Sequence, residues 1–152
     1  MYRLRTRGAK RDPEKQWALP DRVFFACGAC QVLAYAFLEL HGSPDMKALW
    51  LRPKPGFMGN HIFVATDNWV FDYHGYSRRE RFLEHTYERA QFWWPGWRAT
   101  IVELPRDVLV SEAQSRRYNG LWLREPKQFF RDAMPRARAF LNRFPLPCLK
   151  TP

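Results

Sequence analysis

The chain has 152 residues and carries 25 Lys and Arg against 15 Asp and Glu, a formal net charge of +10. This length suits one domain with a hydrophobic core, and seven Trp, six Tyr and twelve Phe exclude disorder over most of it. Three Cys are too few for a disulfide framework, and no apolar run reaches the roughly 20 residues of a spanning helix.

Residues 1–20 are polar, basic and proline-punctuated, with Arg3, Arg5, Arg7, Lys10 and Arg11 near the start. They predict a flexible basic arm without the apolar stretch of a secretory leader. One α+β domain is expected over 21–145, then an irregular tail over 146–152 that holds Cys148 in a structural or incidental role. A soluble protein of a reducing cytoplasm follows.

The segment 21–29 leads into a helix over Cys30–His41, apolar nearly all round and so buried on most faces; Gly42-Ser43-Pro44 stops it. A strand is expected over 47–52 and a Pro- and Gly-rich loop over 53–60. Two β-rich runs within 61–75 flank Asp67-Asn68, a hairpin signal. Ser77 and Glu80 form the S-x-x-E pattern of a capping box, which predicts a helix over 77–94. A strand over 98–105, a helix near 106–117 and a loop at Asn119-Gly120 follow. A last helix spans 126–143, kinked or split at Pro135. The expected architecture is a small, mainly antiparallel sheet packed on a buried N-terminal helix, with extra C-terminal helices.

A two-residue turn at Asp67-Asn68 pairs Thr66 with Trp69, Phe63 with Asp72, and His61 with His74. Strand alternation then places His61, Phe63, Ala65, Val70, Asp72 and His74 on one face, with Ile62, Val64, Phe71 and Tyr73 on the other. His61 and Asp72 become diagonal neighbours, and a carboxylate there fixes the tautomer of an imidazole and stabilises its cation. Cys30 opens a helix, where free N–H groups and the helix dipole favour the thiolate. Nucleophile, base and orienter are thus all available. Gln31, Asn60 and Tyr73 are candidates to border a substrate. Trp93, Trp94 and Trp97 are expected in the core or at a lid edge.

The stretch CGACQ, residues 27–31, resembles the C-G-[SA]-C-[WY] signature of papain-type proteases, with Gln31 in the aromatic's place. That match makes Cys30 the nucleophile. The close spacing from Cys30 to His61 and Asp72 is more similar to the transglutaminase-like branch of the papain-like superfamily. The resemblance covers residues 24–76. It implies a nucleophile on a buried helix, a histidine at a strand start and an aspartate on the next strand. The branch includes peptidases, deamidases, transglutaminases and acyltransferases, so a thiol-dependent amide hydrolase or acyltransferase is expected. Such an enzyme needs no cofactor.

Three other readings of C-x-x-C stay open at this level. FFACGACQ also fits a strand, a redox pair and a helix in the thioredoxin order. Cys27, Cys30, His61 and His74 are four ligands of the type zinc takes. The cysteines can also be small buried hydrophobes of a non-enzymatic basic binding domain. The positive charge favours acidic partners, here a protein or peptide substrate. Nucleic acid is a second partner class, though the chain carries no RNP motif or GXXG loop.

Overall fold

The computed structural model describes residues 8–146. In chain order it has α1 (Pro13–Trp17), α2 (Asp21–Ala26), α3 (Cys30–His41), β1 (Lys47–Pro53), β2 (His61–Ala65), β3 (Trp69–Asp72), β4 (Gly75–Arg78), α4 (Arg79–Trp93), β5 (Ala99–Leu104), α5 (Glu112–Ser115) and α6 (Ala133–Leu141). Short 3-10 turns lie at Ala9–Arg11, Arg106–Val110 and Pro126–Gln128. The strands form one sheet in the order β4-β3-β2-β1-β5, and every pairing is antiparallel. The chain is therefore α+β, as its sequence predicts.

Helix α3 lies on one face of this sheet. Its Val32, Leu33 and Phe37 share a core with Ile62, Val64 and Phe71, and Phe37 stacks on Phe71 at 4.3 Å. Helix α6 covers the other side of α3 through Ala137, Phe140 and Leu141. That double cover explains why α3 is apolar nearly all round. The opposite sheet face buries Leu51, Phe63, Ala65 and Val70 against Phe82 and Ala90 of α4 and against Trp97. Trp97 is fully buried, and its Nε1–H donates to the Met58 carbonyl at 2.8 Å.

Four local expectations change. Ser77 does not cap a helix; it pairs with Val70 inside β4, and α4 begins after Arg78 with no side-chain cap. Four residues of strand pairing, with the Arg79 N–H donating to the Asn68 carbonyl at 3.0 Å, outweigh one local capping bond. The expected helix over 106–117 is a 3-10 turn followed by α5, which Ser111 caps through the Gln114 N–H. The expected helix over 126–143 is likewise broken. Here α6 starts from an Asp132 cap, so Pro135 falls in its first turn, where a missing N–H costs nothing. The segment before C-x-x-C is helix α2, not the strand of a thioredoxin order.

The arm expected over 1–20 is helical and packed from Ala9 onward, with Ala9 and Gln16 buried. Asp12 caps α1 by accepting the Glu14 and Lys15 N–H groups. Arg136 of α6 then clamps the segment: it donates to the Trp17 and Leu19 carbonyls, both at 2.6 Å, and to Asp21 Oδ1 at 2.9 Å. Its guanidinium also lies over the Trp17 and Phe24 rings. Arg3, Arg5, Arg7, Cys148 and most of the expected tail lie outside the described residues.

Candidate active site

The site forms at one end of the sheet, where α3 and β2 begin and β3 finishes. Gly28, at φ 110°, supports the turn between α2 and α3 that a side chain would strain. Beyond it Cys30 heads α3, half-buried, while Cys27 is buried in the turn. Val64 pairs with Phe71 and Ala65 with Val70, the register a turn at Asp67-Asn68 requires. His61 at the start of β2 and Asp72 at the end of β3 are therefore diagonal neighbours. His61 Nε2 lies 3.0 Å from Asp72 Oδ2. Both residues are buried, at 4% and 3% exposure.

Asp72 serves two partners. Its second oxygen, Oδ1, accepts the His74 backbone N–H at 2.8 Å and faces the His74 ring at 3.4 Å. The carboxylate thus holds the turn into β4 and His61 at once. Phe63, Tyr73 and Phe82 surround the His61 ring, with centroids at 5.7, 5.3 and 6.1 Å. With Nε2 given to Asp72, Nδ1 is the ring nitrogen left to act on the Cys30 thiol, whose Sγ–H also reaches Gln31 Oε1 at 3.9 Å.

The electrostatics follow from this chain of contacts. Burial pushes the Cys30 thiol up, but its hydrogen bond to His61 and the imidazolium charge outweigh burial; the Ile62 and Gln31 N–H groups add to them. The net effect holds Cys30 below the ordinary thiol range. For His61, burial favours the neutral ring. Hydrogen bonds to Asp72 and Cys30, with the charges of both, win and raise it to about 9. Asp72 resists the upward push of burial through His61 and His74 and is held well below the usual carboxylate range. The arrangement favours a thiolate–imidazolium pair with a permanent counter-ion behind it. Cys27 goes the other way, because burial raises its thiol.

A cleft of about 510 Å³ opens over Cys30. Cys27, Trp50, Asn60 and His61 line one side, the 120–124 loop the other, and Lys10 stands in the lining as well. A larger groove of about 710 Å³ runs along β4 and α4 past His74, but Cys30 and His61 do not line it. Asn60 is where the sequence suggests: it lines the cleft, and its Oδ1 accepts the Trp50 Nε1–H at 2.8 Å. Gln31 also reaches the cleft, but its amide is engaged. Nε2 donates to the Arg124 carbonyl at 3.1 Å and to the Gly28 carbonyl at 3.4 Å, so Gln31 braces the 120–124 loop against α3. Tyr73 is buried on the α3 face and packs on His61 without lining the cleft. Its ring centroid lies 5.3 Å from that of His61, and only 1% of Tyr73 is exposed.

Sequence reasoning missed the far wall. Gln16 donates to the Cys27 carbonyl at 3.0 Å and accepts from Arg124 Nη2 at 2.8 Å, tying α1, the Cys27 turn and the 120–124 loop together. No local motif marks these residues, since 108 positions separate Gln16 from Arg124. The zinc set is not assembled: among the described residues no group of three or more His, Cys, Asp or Glu side chains is placed to hold a metal ion. His74 sits on the oxygen of Asp72 that His61 does not use. Comparison with protein-family models, curated proteins and solved structures gave no match.

Proposed function

We propose that this protein is a thiol-dependent amide hydrolase of the papain-like, transglutaminase-like kind, working through Cys30, His61 and Asp72. The observation that carries this reading is the buried 3.0 Å hydrogen bond from His61 to Asp72, in one cleft with a Cys30 thiol that heads a helix and that His61 holds below the ordinary thiol range.

The Cys30 thiolate attacks the carbonyl carbon of an amide and forms a C–S bond. The developing oxyanion faces the Cys30 backbone N–H and the side-chain amide Nδ2–H of Asn60, whose Oδ1 accepts from Trp50. As the tetrahedral intermediate collapses, the C–N bond breaks and the His61 imidazolium gives its proton to the leaving amine. Neutral His61 then takes a proton from water, whose oxygen attacks the thioester. Carboxylic acid leaves and Cys30 and His61 return to their starting state. If an amine takes the place of water, the same steps make a new amide, which is acyl transfer. Asp72 stays ionised throughout and holds the ring. The substrate class is a protein or peptide. Two free thiols beside each other suit a reducing compartment, so a cytoplasmic setting goes with this chemistry.

Hydroxylamine tests it by trapping an acyl-enzyme. Incubation with a panel of peptidyl aminocoumarin amides should release the fluorophore and yield peptide hydroxamate, and both should vanish in Cys30→Ala. An acyl adduct on Cys30, found by mass spectrometry after acid quench, is the expected intermediate. Turnover that survives Cys30→Ala, or no turnover and no adduct across the panel, would overturn the proposal.

A further inference from the structure

The cleft beside Cys30 carries charge of one sign. Among the described residues lining it, Lys10 and Arg124 are cationic and none is Asp or Glu. Two half-buried arginines of this fold have a carboxylate, Arg136 at 2.9 Å from Asp21 and Arg79 at 3.8 Å from Asp67, while Arg52 lies over the Trp50 ring without one among the described residues. Arg124 instead donates Nη2–H to the neutral Gln16 Oε1 and lies 4.2 Å from the Phe129 ring centroid. Burial pulls its pKa down, and no acidic group among the described residues acts against that. A partly desolvated cation without a counter-charge is costly, and buried charges are ordinarily paired.

Its place is defined by Gly28. A side chain there would begin 3.5 Å from Arg124 Nη2, two residues before the nucleophile. Lys10 approaches the same turn, close enough for its charge to lower the Cys27 thiol against burial. Two cations thus flank the Cys27–Cys30 turn in a cleft whose walls are otherwise neutral apart from His61.

We propose that the cleft takes acyl substrates bearing a free carboxylate close to the scissile carbonyl, with Arg124 and Lys10 as its partners. This deepens the preceding reading of Cys30 and rests on it. The substrate carboxylate completes the ion pairing that the fold leaves open, through a charge-assisted hydrogen bond in a partly desolvated wall. It also orients the acyl group over Sγ. Lys10, being exposed, acts mainly by drawing the anion into the cleft.

Iodoacetate and iodoacetamide isolate this feature, because they differ only by carboxylate against carboxamide. Their rate constants for Cys30 in the full chain, followed by mass spectrometry at low salt, give a ratio. That ratio should exceed the ratio for 2-mercaptoethanol by about 10-fold or more. It should fall roughly threefold or more in Lys10→Gln and in Arg124→Gln. Arg124→Lys should retain much of it, and Arg89→Gln, which removes a cation lying over Trp93 on α4, should leave it unchanged. Should Arg124→Gln fail to fold, Lys10→Gln decides alone. A ratio like that of the free thiol, or one that neither cleft variant lowers, would overturn the proposal, since His61 and the overall charge then explain any excess. Fast iodoacetamide labelling without an iodoacetate preference sinks this proposal alone. Iodoacetamide labelling no faster than that of a free thiol near pH 6 sinks the Cys30 reading and the proposal with it.

Discussion

Asp72→Ala is expected to destabilise the protein by about 3–5 kcal/mol near pH 6, the range found when one partner of a buried ion pair is removed. The substitution strips the counter-ion from a His61 that is 4% exposed, and it also removes the acceptor for the His74 N–H at the turn into β4. Asp72→Asn keeps the shape and the turn contact but not the charge, so it should cost less. The pH dependence carries a sign. His61 is raised from an ordinary 6.5 to about 9, so its contribution is fully present below 6.5 and lost as pH rises through about 9. Asp72 is lowered from 3.8, so its contribution is present above 3.8 and lost in stronger acid. Urea unfolding of wild type and Asp72→Ala should therefore differ most between those two ordinary values, and the gap should narrow above about pH 9 to what the turn contact contributes. A gap that stayed constant with pH would mean that the pair is not ionic.

His61→Ala is expected to slow iodoacetamide alkylation of Cys30 by about 100-fold near pH 6. Without the imidazolium, the thiol keeps its burial and loses the two largest influences that lower its pKa, the hydrogen bond to His61 and the charge on that ring. The Ile62 and Gln31 N–H groups remain but are the smaller influences. Cys27, raised by burial, should label slowly in both proteins and serves as an internal control. Peptide mapping of the alkylated sites checks both statements. Equal Cys30 rates in the two proteins would separate the thiol from His61 and remove the basis for the proposed acyl chemistry.

The central pair of this site was legible because its causes are local. A two-residue turn at Asp67-Asn68 pins the register of β2 on β3, and strand alternation then puts His61 and Asp72 on one face. The apolar run in Cys30–His41 likewise reads as a buried helix from its own residues. Where the sequence misled, a distant partner or a longer pairing decided the outcome. Ser77 has a capping pattern three residues from Glu80, but β3 offers 75–78 a strand to pair with. The basic segment after Gly8 has the composition of a solvated arm, yet Arg136, more than 100 positions away, takes the Trp17 and Leu19 carbonyls. Gln31 adjoins the nucleophile in sequence, and its amide is consumed by the Arg124 carbonyl from the opposite wall. Tyr73 follows Asp72 by one residue and so, by alternation, packs into the α3 core.

The most direct test of the account is the thiolate content of Cys30 in the resting protein, read as the ultraviolet absorbance difference between wild type and Cys30→Ala across a pH titration. The account predicts a thiolate band already present at neutral pH, disappearing only on acidification and absent at neutral pH in His61→Ala. A band that emerges only at or above the ordinary thiol value of 9.0, with or without His61, would contradict it.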